Sequence, residues 1–268
     1  MEIEAQNLSF SYSHSRPLAL NELSFSIPTG TCCAVLGSTG CGKTTLLLAL
    51  SGALGLHYAD SPASGAIKIG VEEFKPLPRR VLFPQVGLML QEARVQISGL
   101  RETVHDELKF TLENIGLDET LHEERISSTL NDLGIPHLAR RNPVKVSGGQ
   151  MQRVALGTLL VARPGVMLLD EPTQSLDGES ITKLIRVFRN LKGHTTVIFS
   201  DTRIELALAV ADSILVMEEG RCLFFGSRKQ FVSQLTDFTA ILPVQHWLET
   251  ISLLSRESTL PLFARLFG

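Results

Sequence analysis

Residues 31–44 read Thr31-Cys32-Cys33-Ala34-Val35-Leu36-Gly37-Ser38-Thr39-Gly40-Cys41-Gly42-Lys43-Thr44, and this order decides the fold. A short apolar run stopped by a glycine fits a strand buried on both faces. Residues 44–54 have helical composition, so the order is strand, glycine loop, helix. The last eight residues fit G-x-x-x-x-G-K-[ST] at every required position, in the context that this pattern needs. Glycines let the backbone curl so that N–H groups point at phosphate oxygens, and the helix N-terminus adds partial positive charge. Lys43 reaches the β and γ phosphates of a nucleotide and Thr44 can ligate Mg²⁺; Ser38, Thr39, Cys41 and Thr45 are counted with the same cradle. A glycine turn that only caps a helix is the competing reading, and the full match in a strand-to-helix setting outweighs it.

Downstream, residues 166–169 form another short apolar run that ends in Asp170 and Glu171. In an open parallel sheet the strand ends carry the site. Asp170 is therefore placed to hold Mg²⁺, directly or through water, and Glu171 to polarise a water for attack on the γ phosphate. An Asp-Glu pair alone is usually a solvated turn; beside a phosphate loop it implies a site that hydrolyses nucleoside triphosphates. Residues 195–199 repeat the β-run after a helix over about 179–191, and this rhythm predicts an α/β fold with a mainly parallel core sheet.

The flanks add two further parts. Residues 3–12 alternate apolar and polar side chains and 23–27 precede a Pro28-Thr29-Gly30 turn, which predicts antiparallel edge strands. Strands are also expected over 63–71 and 86–90, residues 59–65 read as loop, and the connector with Pro76, Pro78 and Pro84 is not helical. Between about 92 and 162 helix formers dominate, and Ile126, Leu130 and Leu133 fall at i, i+4 and i+7 before Gly134 and Pro136. That predicts a helical lobe inserted between strands. After Gly226, Phe231, Leu235 and Phe238, then Trp247, Leu248, Ile251 and Leu254, mark an amphipathic tail that either packs on the core or forms a protein interface.

Composition narrows the function. The 268 residues hold 25 Lys plus Arg against 28 Asp plus Glu, a formal charge of −3, which excludes a polybasic nucleic-acid arm and an acidic tail. Cys32, Cys33, Cys41 and Cys222 include no C-x-x-C pair, so neither a zinc knuckle nor a disulfide framework is indicated, and a reducing cytoplasm is the simplest compartment. Glu2 and Glu4 occupy the place of a basic n-region, so no secretory leader is expected. The most apolar stretch, 204–217, is interrupted by Glu205, Asp212 and Ser213, well short of the roughly 18 to 20 apolar residues of a membrane span. Membrane association must come through a partner.

Between the phosphate loop and Asp170 lies Val146-Ser147-Gly148-Gly149-Gln150, and this run resembles the signature of ATP-binding cassette (ABC) ATPases. The resemblance covers nearly the whole chain. Asp170-Glu171-Pro172-Thr173 with Ser175-Leu176-Asp177 is similar to the Walker B segment and D-loop. Gln91 resembles the Q-loop glutamine, which joins Mg²⁺ and the attacking water to the surface that touches a transport subunit; a solvated loop residue is its plainer reading. Tyr12 resembles the aromatic that stacks on adenine, against the alternative of an edge-strand or core aromatic. The resemblance implies a P-loop NTPase fold with an antiparallel N-terminal β subdomain, ATP and Mg²⁺ as cofactors, and a dimer in which Ser147 to Gln150 close on the partner's γ phosphate. It also implies a cassette over 1–225, its helical subdomain at about 92–162, and a C-terminal helical extension over 226–268.

Within the family, residues 86–96 with a second glutamine at Gln96, then Thr103-Val104-His105-Asp106-Glu107-Leu108 and Glu113-Asn114-Ile115-Gly116-Leu117, resemble the ATPases of energy-coupling factor (ECF) importers and of cobalt and nickel uptake systems. That implies uptake of a vitamin or transition metal, an integral-membrane transport subunit and a peripheral place at the cytoplasmic face; the single cassette, with no long coiled-coil insertion, and the slightly acidic balance argue against nucleic acid as a partner. One departure stands out. Counting from Thr196 and back from Asp212 both put Thr202 where the family has a histidine that contacts the γ phosphate, and His194 lies on the wrong side of the strand. A threonine lacks the imidazole's reach and charge, so the expectation is a half-site that binds ATP better than it hydrolyses it, in a heterodimer with a second ABC ATPase. The competing readings are a soluble ABC ATPase of DNA repair or translation, and a regulatory nucleotide-binding subunit with little catalysis.

Overall fold

The computed structural model describes residues 1–75, 82–202, 204–238 and 241–242. β1 (Ile3–Phe10) and β2 (Leu20–Ile27) pair antiparallel, with Ile3 opposite Ile27 and Phe10 opposite Leu20. β3 (Cys32–Gly37) is buried along its whole length and leads through the glycine loop into α1 (Lys43–Leu50). After a single turn, α2 (Leu54–His57), the chain returns as β4 (Ala63–Ile69) to pair with β1 and then doubles back as β5 (Glu72–Phe74). The run read as one strand over 63–71 is thus broken by a turn at Gly70 and Val71, which leaves Val71 97% exposed, and Ala63 to Gly65 belong to strand rather than loop.

β6 (Val86–Met89) is followed by the helical lobe, α3 (Val104–Asn114), α4 (His122–Asp132) and α5 (Gly148–Leu160). Then come β7 (Val166–Asp170), α6 (Gly178–Leu191), β8 (Thr196–Ser200), α7 (Ile204–Val210), β9 (Ser213–Glu218), β10 (Arg221–Ser227) and α8 (Arg228–Ser233). The apolar stretch 204–217 therefore holds two elements. Asp212 marks the break between them: its carboxylate accepts from the Cys32 N–H and its own N–H donates to the Cys32 carbonyl, which docks β9 beside β3.

Two sheets result. One is antiparallel, in the order β2-β1-β4-β5, so β1 is internal and only β2 of the first pair is an edge, because β4 occupies the other side of β1. The other runs β10-β9-β3-β8-β7-β6, parallel from β9 to β6, with β10 antiparallel at its margin. Alternation along the central strands divides the interior between two faces. Cys32, Ala34 and Leu36 of β3, Met167 and Leu169 of β7 and Phe199 of β8 face the layer that includes α6, α7 and the helical lobe. Cys33, Val35, Leu168 and Ile198 face α1 and the antiparallel sheet. Leu46, Leu47 and Leu50 of α1 are fully buried there, each stabilising by roughly 1.5–3 kcal/mol relative to exposure.

Ile126, Leu130 and Leu133 are buried in the lobe, as their spacing predicts. In the tail, Phe231, Leu235 and Phe238 are buried against the core, and the Phe231 and Phe238 rings stack with centroids 5.5 Å apart. Trp247, Leu248, Ile251 and Leu254, like Pro76 and Pro78, lie outside the described residues. Among the described residues no helix is long and apolar enough to cross a membrane.

Candidate active site

The C-terminal ends of β3, β7 and β8 lie side by side, with Asp170 in register with Ser200, and the site gathers there. Gly42, just before α1, has φ 109°, and a Cβ on it would sit 2.4 Å from the Ala19 carbonyl oxygen. Only glycine lets the loop turn so close to the N-terminal sheet. Beneath the loop, Lys43 Nζ donates to the carbonyl oxygens of Gly37 (2.8 Å) and Ser38 (2.9 Å), so a buried ammonium underlies the cradle of Gly37 to Thr45. Cys41 Sγ lies 3.9 Å from that nitrogen; burial pushes its thiol up, with the lysine charge pulling against it.

Thr44 Oγ1 donates to Asp170 Oδ2 at 2.7 Å, joining the phosphate loop to the strand end. Glu171 follows in the left-handed region, φ 47°. Its N–H reaches both the carbonyl and the hydroxyl oxygen of Ser200, each at 3.1 Å, and its carboxylate accepts from Gln91 Nε2 at 3.1 Å. Gln91 and Glu171, 80 positions apart, are therefore brought into contact. Gln96 Nε2 donates to the Leu88 carbonyl, closing the loop that carries Gln91. Thr202 sits half-buried on the bend after β8.

Tyr12 is half-buried beyond the end of β1. Its hydroxyl is 2.8 Å from Thr45 Oγ1, and its ring packs edge-on with Phe10 and Tyr58, each at 5.0 Å between centroids. Sequence reasoning missed Tyr58 because nothing in its local pattern connects it to Tyr12.

At the start of α5 the exposed Ser147 forms a capping box: its hydroxyl accepts from the Gln150 N–H and the Gln150 side chain accepts from the Ser147 N–H. The two glycines differ in their surroundings. A Cβ on Gly148 would meet nothing within 4 Å, whereas one on Gly149 would lie 2.7 Å from the Ser175 carbonyl oxygen. Gln152 donates to the Pro172 carbonyl, tying α5 to the turn after β7. Asp177 caps α6, and the Ser180 hydroxyl, then its N–H, hold the Asp177 carboxyl below its ordinary value.

A phosphate loop, a strand-end Asp-Glu pair and a capped Ser-Gly-Gly-Gln helix start, all in one α/β unit, agree with the match of residues 20–174 to the family described as ABC transporter. The chain belongs to that family. It is an ABC ATPase, and the nucleotide its cradle takes is ATP. It is 34% identical over 234 residues to an energy-coupling factor transporter ATP-binding protein of Enterococcus faecalis, covering 86% of this chain and 81% of that one. A protein of the same name from Streptococcus sanguinis is 34% identical over 221 residues, 82% of this chain and 77% of that one. Among solved structures, CbiO1 of Clostridium perfringens, part of the ABC transporter complex CbiONQ, superposes with a TM-score of 0.74 at 27% identity, covering 95% of this chain and 98% of that one. The ABC ATPase fold thus accounts for both sheets and for the inserted helices.

Proposed function

We propose that this chain is the ATP-hydrolysing subunit that energises a membrane importer of ECF type, peripheral at the cytoplasmic face. In this reading it pairs with a second, different ABC ATPase and docks on an integral-membrane transport subunit. The names of its relatives, two energy-coupling factor ATP-binding proteins and a member of the CbiONQ complex, support the importer. The single observation that carries the catalytic part is the contact of Gln91 with Glu171, which links the loop leading to the helical lobe with the carboxylate placed to polarise water.

The roles follow from chemistry. Gly37 to Thr45 cradle the phosphates, Lys43 offsets their charge, and Tyr12 stacks on the base beside Tyr58. Thr44 and Asp170 present a hydroxyl and a carboxylate 2.7 Å apart. These are hard oxygen donors, the set that Mg²⁺ takes together with phosphate oxygens and water. With Gln91 they would hold the ion, which when bound neutralises charge on the phosphates. Glu171 orients the attacking water, and Ser147 to Gln150 present a capped helix N-terminus to the γ phosphate on the partner. Thr202, in the place of the family's histidine, supplies at most one hydroxyl. Losing a preorganised donor to a transferring group costs roughly 10²–10³ in rate, so this chain's own half-site is the slower one and the partner's, completed by Ser147 to Gln150, the faster.

The test is purification of the tagged chain from gently solubilised membranes, with the stoichiometry of what accompanies it. A second cassette ATPase and an integral-membrane protein are the expected companions. A lone soluble homodimer would contradict the proposal.

A further inference from the structure

The end of β8 is rich in polar residues that the roles above leave unused. Ser200 is fully buried and Asp201 is 2% exposed. The Ser200 hydroxyl donates to Asp170 Oδ1 and accepts from the Glu171 N–H at 3.1 Å. The next residue, Asp201, accepts from the Thr173 hydroxyl through Oδ2. Ser200, the last residue of β8, and Asp201 just after it thus hold three positions at the end of β7 and in the turn that follows.

We propose that Ser200 is a positioning residue of the hydrolytic site, holding Asp170 and the turn that carries Glu171 in one register through a single hydroxyl. The inference rests on the hydrolytic reading above. Asp170 is fixed from two sides, by Thr44 on Oδ2 and by Ser200 on Oδ1. Whatever Thr44 binds, Ser200 holds the carboxylate from the strand side. Glu171 needs holding for a separate reason: at φ 47° an L-residue is disfavoured by roughly 1–2 kcal/mol. Its N–H is anchored twice, on the Ser200 carbonyl and on the Ser200 hydroxyl. A hydroxyl serves both neighbours because it donates and accepts at once; alanine at this position would do neither, although it would still form strand. The strand next to the catalytic turn therefore supplies rigidity at the site where the histidine contact is missing.

The experiment compares the full chain with Ser200→Ala, each purified with its accompanying subunits. Mn²⁺ binding is followed by electron paramagnetic resonance in the presence of a non-hydrolysable ATP analogue, alongside kcat, KM and thermal stability. Loss of a hydrogen bond to a charged group predicts roughly a ten-fold or greater rise in half-saturating Mn²⁺ and a fall in kcat of about ten- to a hundred-fold, with KM for ATP unchanged. Ser200→Thr, which keeps the hydroxyl, should recover Mn²⁺ binding. Thr173→Val, which removes a donor to Asp201, should lower stability without moving Mn²⁺ affinity. If Ser200→Ala lowers only the melting temperature and leaves Mn²⁺ affinity and kcat at wild-type values, the proposal is overturned. A wild-type chain with no ATP turnover would instead break the functional reading, and the Mn²⁺ titration would still decide the part played by Ser200.

Discussion

In the proposed dimer the start of α5 and the end of β8 both face a γ phosphate, the first on the partner's nucleotide and the second on this chain's own. At α5 the run Ser147-Gly148-Gly149-Gln150 keeps the family pattern, closes a capping box, and is tied to the turn after β7 through Gln152. At β8 the chain instead carries Ser200, Asp201 and Thr202, two of them buried and turned inward onto Asp170, Glu171 and Thr173. In the proposed dimer the element lent to the partner keeps the family pattern, and the element used at home departs from it. Departure is tolerated there because strand-end polar groups can satisfy one another, whereas a helix start that must accept a phosphate has no substitute for free space and amide donors.

Four substitutions test this contrast, in order of falling effect. Thr202→His should restore the missing donor and raise single-turnover hydrolysis at this half-site by roughly 10² or more; an unchanged rate would remove the argument for a handicapped site. Gly42→Ala probes a part of the site that keeps the family pattern. With φ 109° and the Ala19 oxygen 2.4 Å away, it should cost more than about 2 kcal/mol in denaturant unfolding, since the left-handed conformation alone costs roughly 1–2 kcal/mol. Thr173→Val takes one hydrogen-bond donor from the buried Asp201, and about 1–3 kcal/mol of stability should go with it.

The smallest effect lies far from the strand ends. His105 on α3 contacts Asp106 at 3.2 Å and Glu123 of α4 at 3.1 Å. Burial alone would lower its pKa, but the hydrogen bonds to Asp106 and Glu123 raise it above the ordinary 6.5. A raised folded-state value means that the contribution is fully present below pH 6.5 and is lost as pH rises through the folded value. His105→Gln should therefore lower stability by under about 1 kcal/mol in the acidic range and by nothing measurable once the imidazole is neutral. A difference that grew with pH would reverse the assignment.

Most of the central architecture was legible in the chain because β3, β7 and β8 are short apolar runs that end in a glycine or a polar residue: Gly37, Asp170, Ser200. The phosphate loop and the capped helix start could be read for the same reason, since their geometry is local. What escaped was non-local or hidden by uniform composition. The 204–217 stretch is apolar on both sides of Asp212 and Ser213, so the helix and the strand within it share a similar composition, and the pairing of Asp212 with Cys32 shows where one ends. The β4–β5 hairpin turns on a single glycine. Tyr58 meets Tyr12, and Ser200 meets Asp170, across distances in sequence that no periodicity reports.

The proposed asymmetry of the dimer is most directly tested with a pair of variants in the assembled complex. Gly148→Asp places a carboxylate where a Cβ meets nothing within 4 Å, at a helix N-terminus that favours negative charge, so the fold should be unharmed while the partner's γ phosphate is repelled. Glu171→Gln removes the carboxylate proposed to polarise water at this chain's own site. The account predicts that Gly148→Asp abolishes most steady-state ATP turnover and that Glu171→Gln removes only a minor share. Equal losses, or a larger loss from Glu171→Gln, would contradict it.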